Sequence, residues 1–217
     1  MKVLTIAATE FEIGPLRSSI PSNIKENVDF LVTGIGSLMT TFNLTRHLLN
    51  TQYDFVIQIG IAGALDINIP LGSVCQVITE TISDLGSEDI DGKLLDVFSL
   101  NLIEKNQAPF IDGKLINSTK LNIPDLIEVH GSTVNKSLGS DKSIKLFKEK
   151  FPNCQIESLE GASLFYVCNS FKLKFIEIRG ISNIVEKRNR SSWQIDTALN
   201  NLNNLFQKVL SSILNLH

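Results

Sequence analysis

Short apolar runs that alternate with helical patterns are the feature that most constrains how this chain can fold. Six runs are typical of buried strands and lie at residues 3–7, 30–32, 55–60, 74–78, 126–129 and 175–178. Between them, apolar residues recur at helical spacing, and the longest such stripe extends from Ile195 to Ile213. Because strands that alternate with helices bury both faces of their sheet, the pattern predicts an α/β fold around a mixed, mostly parallel sheet.

The sequence gives no sign of a second domain. It has 217 residues, of which 43% are hydrophobic, and contains no linker rich in proline, glycine or serine. Domains commonly contain about 100 to 200 residues, so we expect one domain over residues 1–217. Residues 84–122 show little periodicity, and we expect long loops or a hairpin there, of the kind that forms ligand walls and oligomer contacts.

The charge pattern argues against nucleic-acid and membrane partners. The formal net charge is −3, acidic and basic residues are mixed, and no basic block is longer than "EKRNR". The longest uncharged apolar stretch, residues 55–65, is shorter than the roughly 20 residues of a membrane span. The apolar run at residues 3–8 is too short for a signal peptide. We therefore expect a cytoplasmic protein whose partner is a small molecule.

No metal and no organic cofactor are expected. The three cysteines are widely spaced in apolar surroundings, and the three histidines share no ligand spacing. A turn after the second strand contains Gly34 and Gly36, but Met39 occupies the position of the third glycine of a dinucleotide-binding motif. The turn after the third strand also lacks the full motif, but it contains Gly60 and Gly63, whose backbone allows a ligand to approach closely.

A dense set of polar side chains follows the predicted strand at residues 175–178. After a glycine, the chain presents Ser182, Asn183, Glu186, Arg188 and Arg190. Loops at the carboxyl ends of sheet strands commonly form the ligand sites of α/β proteins, so this loop is a candidate site. The alternative is a surface turn that happens to be charged.

Six motifs occur in an order and spacing that resemble the nucleoside phosphorylase and nucleosidase superfamily. They are "AATEFEI", "GIG", "GIAGAL", "HGSTVN", "ESLEGASLFYVC" and "IRGISNIV". In particular, they resemble the nucleosidases that act on methylthioadenosine and S-adenosylhomocysteine. The stretches "ATEFEI", "GSTVN" and "RGISNIVEKRNRSSW" are more similar still to the futalosine hydrolase family, which acts in menaquinone biosynthesis.

The resemblance covers nearly the whole chain, with a poor match only at residues 84–122. It implies a three-layer α/β sandwich around the mixed sheet and hydrolysis of an N-glycosidic bond. It also implies a homodimer that binds a nucleoside and needs no cofactor.

The resemblance also assigns catalytic and sugar-binding residues. Glu12 aligns with the general base of these enzymes. A carboxylate suits this role, because it accepts a proton from the attacking water and its charge stabilises a ribosyl cation. Glu160 matches the glutamate that binds the ribose hydroxyls, and Leu159 packs on the sugar. Without the resemblance, Glu12 is also typical of the first turn of a helix, and Glu160 of a helix N-terminus.

Base-binding residues follow from the same alignment. Val134 and Asn135 fall where the superfamily binds the purine edge through the backbone, although "GSTVN" is also an ordinary polar turn.

Asn183 stands where adenine-releasing nucleosidases have aspartate. Its amide can donate to the oxygen of a 6-oxopurine and accept from the protonated N7, which favours hypoxanthine or guanine over adenine. Alternatively, Asn183 caps its own turn; Ser182 orients Asn183 or caps the turn that follows.

The outer part of the polar loop is a candidate for binding the 5′ side of the substrate. Futalosine carries a carboxylated aryl ketone there, so we expect Arg188 and Arg190 to bind the carboxylate, with Arg179 as a third candidate. Trp193 stacks on the aromatic ring or closes the core. A solvated arginine face is the alternative.

The function predicted from the sequence is hydrolysis of futalosine to hypoxanthine and dehypoxanthine futalosine. A phosphorylase is disfavoured, because Glu10 and Glu12 would repel phosphate. The alternatives are a methylthioadenosine/S-adenosylhomocysteine nucleosidase, an inosine-type nucleosidase and a non-catalytic nucleoside-binding protein. Glu12 argues against the last of these, since a binding module has no need for a carboxylate beside a water.

Overall fold

The structure is a computed structural model that describes residues 1–119, 121, 123 and 126–214. Its helices are α1 (Glu10–Ser19), α2 (Ser37–Asn50), α3 (Asp141–Lys150), α4 (Gly161–Phe171) and α5 (Ile195–Leu214). Its strands are β1 (Val3–Ala7), β2 (Val28–Val32), β3 (Phe55–Ala64), β4 (Val74–Ile82), β5 (Gly86–Glu88), β6 (Leu94–Asp96), β7 (Leu115–Ile116), β8 (Ile127–Thr133), β9 (Ile156–Ser158) and β10 (Lys174–Ile184).

The six apolar runs of the sequence lie in strands, as predicted, except that Leu126 precedes its strand. They correspond to β1, β2, β3, β4, β8 and β10. The structure adds β9, whose three residues are too few to show a period in the sequence, and an antiparallel hairpin of β5 and β6. This hairpin and β7 lie within residues 84–122, where loops or a hairpin were predicted, although residues 120 and 122 lie outside the described part of the chain.

The strands form a mixed sheet that closes on itself. β1 is parallel to β2 and β3, and β3 is parallel to β10, whereas β4 is antiparallel to β10. β8 is parallel to β4 and β9, and β9 returns to the end of β3 in antiparallel register. The α/β class and the mixed sheet are therefore confirmed, but the closure makes the sheet barrel-like, which the sequence pattern did not predict.

The length of β3 explains the closure. β3 has ten residues, and it pairs with the five-residue β1 only along residues 55–58. Beyond the end of β1, the same edge of β3 pairs with β9 at Gly63 and Ala64. On the opposite edge, β10 accompanies β3 along its whole length. β3 and β10 therefore extend past the end of β1. The edge of β3 that β1 leaves unpaired binds β9, and this pairing closes the sheet.

Helices cover the sheet from two sides. Leu44 of α2 and Phe165 of α4 belong to one buried apolar cluster, whereas Leu16 of α1 and Phe206 of α5 belong to a second. Burying one such side chain stabilises the fold by about 2 kcal/mol relative to leaving it in water. Within the described chain, none of the helices combines the length and the apolar composition needed to cross a bilayer.

Candidate active site

The carboxyl ends of β1, β3 and β10 lie together because these strands run parallel, and a cavity of about 360 Å³ opens there. Part of its wall is apolar and comes from residues that the sequence did not single out, such as Phe11 and Ile35. Most of the residues that the sequence predicted for the site also line it, namely Glu12, Gly63, Leu159, Glu160, Ser182, Asn183 and Arg188.

Glu12 is held by the way α1 begins. Thr9 is the N-cap and forms a capping box with Glu12, in which the Glu12 N–H donates to the Thr9 hydroxyl oxygen at 3.4 Å and the Thr9 N–H donates to Glu12 Oε2 at 3.1 Å. The Thr9 hydroxyl also donates to Oε2, at 2.8 Å. The Ile61 N–H donates to Glu12 Oε1 at 3.3 Å. Glu12 is thus a first-turn helix residue, and the same position places its carboxylate in the cavity wall, where 8% of the residue is exposed.

Glu160 is the N-cap of α4 and reaches the loop before α2. The Gly36 N–H donates to Glu160 Oε1 at 3.0 Å, and Arg179 Nη1 lies 3.5 Å from Oε2. The Ser37 hydroxyl donates to the carbonyl of Leu159 at 3.2 Å. Each carboxylate oxygen has lone pairs to spare, so Glu160 can accept further hydrogen bonds from hydroxyl groups in the cavity.

Arg179 is buried behind both carboxylates. Only 1% of the residue is exposed, and its Nε donates to Glu177 Oε1 at 2.7 Å. A Cβ on Gly60 would collide with Arg179 and lie 2.9 Å from Glu12 Oε1, so glycine leaves the room for both groups. Burial lowers the pKa of Arg179, but Glu177 and Glu160 raise it by more, so the guanidinium stays charged. Arg179 is therefore not available as a third cation for a substrate carboxylate.

Another carboxylate, Glu80 of β4, is buried near Glu177. The Thr133 hydroxyl donates to Glu80 Oε2 at 2.7 Å, and the Ala162 N–H in the first turn of α4 donates to the Thr133 oxygen at 2.7 Å. Burial raises the pKa of Glu177, and burial together with the charge of Glu177 raises the pKa of Glu80 well above its usual range. These groups connect β4, β8 and β10 to the N-terminus of α4, and thereby to Glu160.

Asn183 lies at the end of β10 beside Gly63 of β3. The Ser182 hydroxyl donates to Asn183 Oδ1 at 2.9 Å, and Asn183 Nδ2 donates to the Ile184 carbonyl at 3.0 Å. The amide caps its own turn in this way, while each end keeps one further position, a second N–H and a second lone pair. A Cβ on Gly63 would lie 2.8 Å from Val185 Cγ2 and 3.1 Å from Asn183 Nδ2, so the glycine provides the space that the amide occupies.

Val134 and Asn135 lie outside the cavity lining. Val134 is buried, and its N–H donates to the Ser158 carbonyl at 3.1 Å, which extends the pairing of β8 with β9. Asn135 is exposed, and its backbone and side-chain N–H groups both donate to Asp84. Two later residues of the same loop line the cavity, namely Ser137 and Leu138. The loop therefore reaches the cavity a few residues later than the motif predicted.

Arg188 and Trp193 line the cavity, whereas Arg190 lies outside it. Both guanidinium groups lie over the Trp193 ring, with Cζ 5.6 Å from the ring centroid for Arg188 and 5.8 Å for Arg190. Glu10 is exposed and forms an ion pair with Arg17 at 2.7 Å. Of the two acidic residues invoked against phosphate, only Glu12 therefore belongs to the cavity wall.

Glu157 is a cavity residue that the sequence analysis missed. It lies in β9, and the Leu138 N–H is 3.2 Å from each of its carboxylate oxygens. Burial raises the pKa of Glu157 to about 7, Asp84 adds repulsion, and hydrogen bonds from Leu138 and Ser137 partly oppose the shift. The signal available in the sequence was an acidic residue within a short apolar stretch, three positions before Glu160.

The carboxylates do not form a metal centre. Within the described chain, no group of three or more His, Cys, Asp and Glu side chains is arranged to hold a metal ion. The neighbours of Glu12 and Glu160 are N–H groups, a hydroxyl and a guanidinium, which are hydrogen-bond donors. Two such carboxylates in a partly apolar cavity can accept a proton and stabilise a developing positive charge.

Comparisons with known proteins find homologues of the chain. No protein-family model matches it. A futalosine hydrolase of Acidothermus cellulolyticus is 28% identical over 182 residues, which are 82% of this chain and 73% of that protein. A 5′-methylthioadenosine/S-adenosylhomocysteine nucleosidase of Bacillus pumilus is 26% identical over 215 residues, which are 89% of this chain and 90% of that protein.

The fold is shared with a solved nucleosidase. The 5′-methylthioadenosine/S-adenosylhomocysteine nucleosidase of Colwellia psychrerythraea, in complex with adenine, has a TM-score of 0.79 at 18% identity. The match covers 98% of this chain and 95% of that chain. The resemblance seen in the motifs is thereby confirmed. The chain is homologous to futalosine hydrolases and to methylthioadenosine/S-adenosylhomocysteine nucleosidases, which are enzymes that hydrolyse N-glycosidic bonds.

Proposed function

We propose that this chain is a nucleosidase for a 6-oxopurine nucleoside, and that it hydrolyses futalosine to hypoxanthine and dehypoxanthine futalosine. Such an enzyme acts in menaquinone biosynthesis. The observation that carries the proposal is that Glu12, Glu160 and Asn183 line one cavity at the carboxyl ends of parallel strands. Homology to nucleosidases supports the reaction class.

In the proposed reaction, Glu12 accepts a proton from the attacking water. The water oxygen forms a bond to C1′, the bond between C1′ and N9 breaks, and its electron pair leaves with the base. Oε2 of Glu12 is held by Thr9, whereas among the described residues Oε1 receives a hydrogen bond only from the Ile61 N–H at 3.3 Å, so Oε1 has lone pairs for the water. The negative charge of Glu12 also favours the ribosyl cation that develops as the bond breaks.

Glu160 binds the ribose hydroxyls in this proposal. Its carboxylate can accept two hydroxyl hydrogen bonds, which strengthen as positive charge develops on the sugar. The Gly36 N–H and Arg179 fix its orientation. Leu159, which also lines the cavity, packs on the apolar face of the sugar.

Asn183 selects the base. Its Nδ2 directs the second N–H to O6, and its Oδ1 accepts from a protonated N7, while Ser182 orients the amide through the 2.9 Å hydrogen bond to Oδ1. An amide cannot supply the N7 proton itself, so that proton comes from solvent. Gly63 lies beside Asn183, and its missing side chain leaves the space in which the amide lies. Val134 and Asn135 act indirectly, by anchoring the loop that brings Leu138 to the cavity.

Arg188 and Trp193 form the part of the cavity that would hold the carboxylated aryl group on the 5′ side. A guanidinium pairs with a carboxylate, and an indole ring stacks on an aryl ring. Arg190 lies over the same indole ring from outside the cavity and holds it in place. This arrangement supports a substrate that carries both an anion and an aromatic ring.

A methylthioadenosine/S-adenosylhomocysteine nucleosidase is the second candidate. Its specific support is the Bacillus pumilus relative, which matches 89% of this chain at nearly the same identity as the futalosine hydrolase. If the Asn183 amide is flipped, its Oδ1 faces the amino group of adenine and can accept a hydrogen bond from it. Asn183 alone therefore does not exclude this substrate.

The proposal extends to the assembly. We propose a single nucleosidase domain over residues 1–217 that acts without a cofactor in the cytoplasm, as a homodimer. In the three-layer arrangement, α1 and α5 form one outer layer and α2 and α4 the other. The dimer is supported by large exposed apolar side chains on one helix, α2, namely Leu38, Met39, Phe42 and Leu49.

The identity of the released base tests the proposal. Purified protein is incubated without phosphate with futalosine, methylthioadenosine, S-adenosylhomocysteine or inosine, and the products are separated by chromatography. We expect hypoxanthine from futalosine and little adenine from methylthioadenosine. Adenine as the main product would establish the second candidate, and release of no base from any substrate would refute a nucleosidase.

A further inference from the structure

Glu157 is a buried carboxylate in the cavity wall to which the proposed reaction gives no role. Only 6% of the residue is exposed, and no ion pair within the described chain includes it. Its donors are the Leu138 N–H and the Ser137 side chain. A buried carboxylate without a cation is costly unless hydrogen-bond donors meet it, so a ligand that brings a donor would be favoured here.

Glu157 and Asn183 flank the same glycine. Gly63 of β3 pairs with Glu157 of β9 on one side, and with Asn183 of β10 on the other. Neighbouring strands lie about 4.8 Å apart, so about two strand spacings separate the two backbones. Both side chains line the cavity, and Gly63 places no side chain between them. The Asn183 amide and a Val185 methyl group occupy the space directly over Gly63, so a planar heterocycle in the cavity can lie with one edge between this amide and the Glu157 carboxylate.

We propose that Glu157 determines specificity by accepting a hydrogen bond from N1–H of a 6-oxopurine whose O6 and N7 face Asn183. This inference rests on the proposed function and deepens it. N1, the substituent on C6, and N7 follow one another along one edge of a purine. In a 6-oxopurine N1 carries a hydrogen, whereas in a 6-aminopurine N1 has a lone pair. A carboxylate attracts the first and repels the second, so the site distinguishes the two bases at both ends of this edge.

Glu157 also holds the loop at Leu138, so the test must separate base recognition from a structural role. The full chain is titrated by calorimetry with hypoxanthine and with 1-methylhypoxanthine, which keeps O6 and N7 but has no N1–H. We expect Glu157→Ala to weaken hypoxanthine binding by about 10- to 100-fold, the range for a hydrogen bond to a charged group. Binding of 1-methylhypoxanthine should change by less than about threefold, because the lost interaction is absent from that ligand.

Glu157→Gln is the conservative variant. Its oxygen can still accept from the ligand or from Leu138, so it should restore part of the hypoxanthine affinity that Glu157→Ala loses. Its N–H can face N1 of adenine, so adenine binding should improve by about tenfold relative to the wild type. Glu186→Gln is the matched control, because Glu186 also lines the cavity but is exposed and accepts from the Ser192 hydroxyl. It should leave the ratio of hypoxanthine to 1-methylhypoxanthine affinity unchanged.

An equal loss of both ligands in Glu157→Ala, or no loss of hypoxanthine, would overturn the inference. Hydrolysis of futalosine by the same wild-type sample is measured in parallel. If the wild type hydrolyses futalosine and Glu157→Ala keeps its hypoxanthine affinity, only the inference fails. If the wild type binds hypoxanthine without hydrolysing any nucleoside, the proposed function fails and the titrations still decide the role of Glu157. A wild type that neither binds nor hydrolyses refutes both.

Discussion

Glu12, Glu160 and Glu157 line one cavity but have different surroundings. Glu12 accepts from two backbone N–H groups and a hydroxyl, and Glu160 accepts from a backbone N–H and lies near a guanidinium. Glu157 receives its donors from a single loop, and burial raises its pKa to about 7. The chemistry of each carboxylate therefore depends on the donors that the fold directs at it, and single substitutions can separate their roles.

Glu12→Gln should abolish turnover and retain ligand binding. An amide keeps the shape of the side chain but cannot accept the proton of water, so we expect kcat to fall by about 10² to 10⁴-fold. Hypoxanthine affinity should stay within about threefold of the wild type, as measured by calorimetry. Glu10→Gln is the matched control, because Glu10 is exposed and pairs with Arg17 outside the cavity. Normal turnover in Glu12→Gln would remove Glu12 as the base.

Asn183→Asp should shift the substrate preference toward 6-aminopurine nucleosides. An aspartate opposes O6 with a second acceptor, whereas it accepts from the amino group of adenine. We expect the ratio of kcat/KM for futalosine to that for methylthioadenosine to fall by about 100-fold. Asn200→Asp controls for added charge, because Asn200 is exposed on α5 and lies outside the cavity lining. A ratio equal to that of the wild type would show that Asn183 does not set specificity.

Glu157→Gln should stabilise the protein at alkaline pH. Burial raises the pKa of Glu157 from 4.5 to about 7, so the folded state binds the proton more tightly than the unfolded state. The contribution of Glu157 to stability is therefore present below pH 4.5 and is lost as the pH rises to about 7. Urea unfolding at pH 5 and pH 8 should show the advantage of the variant growing by about 2 kcal/mol. An advantage that does not change with pH would contradict the buried titration.

At the scale of elements, the N-terminus of α4 is where the sheet and the site are joined. Glu160 is the N-cap of this helix, and the Ala162 N–H in its first turn donates to Thr133 of β8. Arg179 of β10 approaches Glu160 and pairs with Glu177. The position of the sugar-binding carboxylate therefore depends on two strands and a buried ion pair, and not on α4 alone.

Glu177→Gln should destabilise the protein far more than Glu80→Gln. Glu177 pairs with Arg179 at 2.7 Å, so its neutral replacement leaves a buried guanidinium poorly compensated. The expected loss in the free energy of unfolding is about 3 kcal/mol. Burial and the charge of Glu177 raise the pKa of Glu80 well above its usual range, which favours the neutral acid, so an amide should cost less than about 1 kcal/mol. Equal losses in denaturant unfolding at pH 7 would show that the two carboxyl groups share the same charge state.

At the scale of the whole molecule, α2 carries an apolar face that the described part of the chain does not cover. Leu38 is 83% exposed, Leu49 is 72% exposed and Phe42 is 61% exposed. Contiguous apolar surface of this kind commonly marks a protein interface. Ile35 precedes this helix and lines the cavity, so a second copy seated on α2 would lie close to the candidate site.

Leu38→Asp should convert the proposed homodimer to a monomer. A charge placed in an apolar interface loses its hydration without gaining a partner, which weakens association by at least about tenfold. Light scattering after size-exclusion chromatography measures the mass directly. Ile90→Asp is the matched control, because Ile90 is another exposed apolar side chain but lies between β5 and β6 and not on α2. A wild type that is monomeric at all concentrations, or a dimer unaffected by Leu38→Asp, would contradict this interface.

Local sequence determined the elements and the residues that depend on them. The apolar runs became strands because a buried strand needs only apolar neighbours in sequence. The roles of Glu12 and Asn183 are predicted from the resemblance of short motifs. The structure adds that Glu12 forms a capping box with Thr9, and it places Ser182 and Asn183 within β10 and not in a loop after the strand. Asn183 was read both as a base-binding amide and as a turn cap, and its hydrogen bonds show the turn cap.

Tertiary structure decided the arrangement of these residues around the cavity. The three-residue β9 has no detectable period, yet it closes the sheet and places Glu157 beside Gly63, 94 positions away in the sequence. Arg179 is a third candidate for binding a substrate carboxylate in the sequence, but it is buried against Glu177 and Glu160. The pairing of Val134 with Ser158 keeps Val134 out of the cavity. Periodicity and capping act between near neighbours, whereas strand pairing and buried charge depend on residues that only folding brings together.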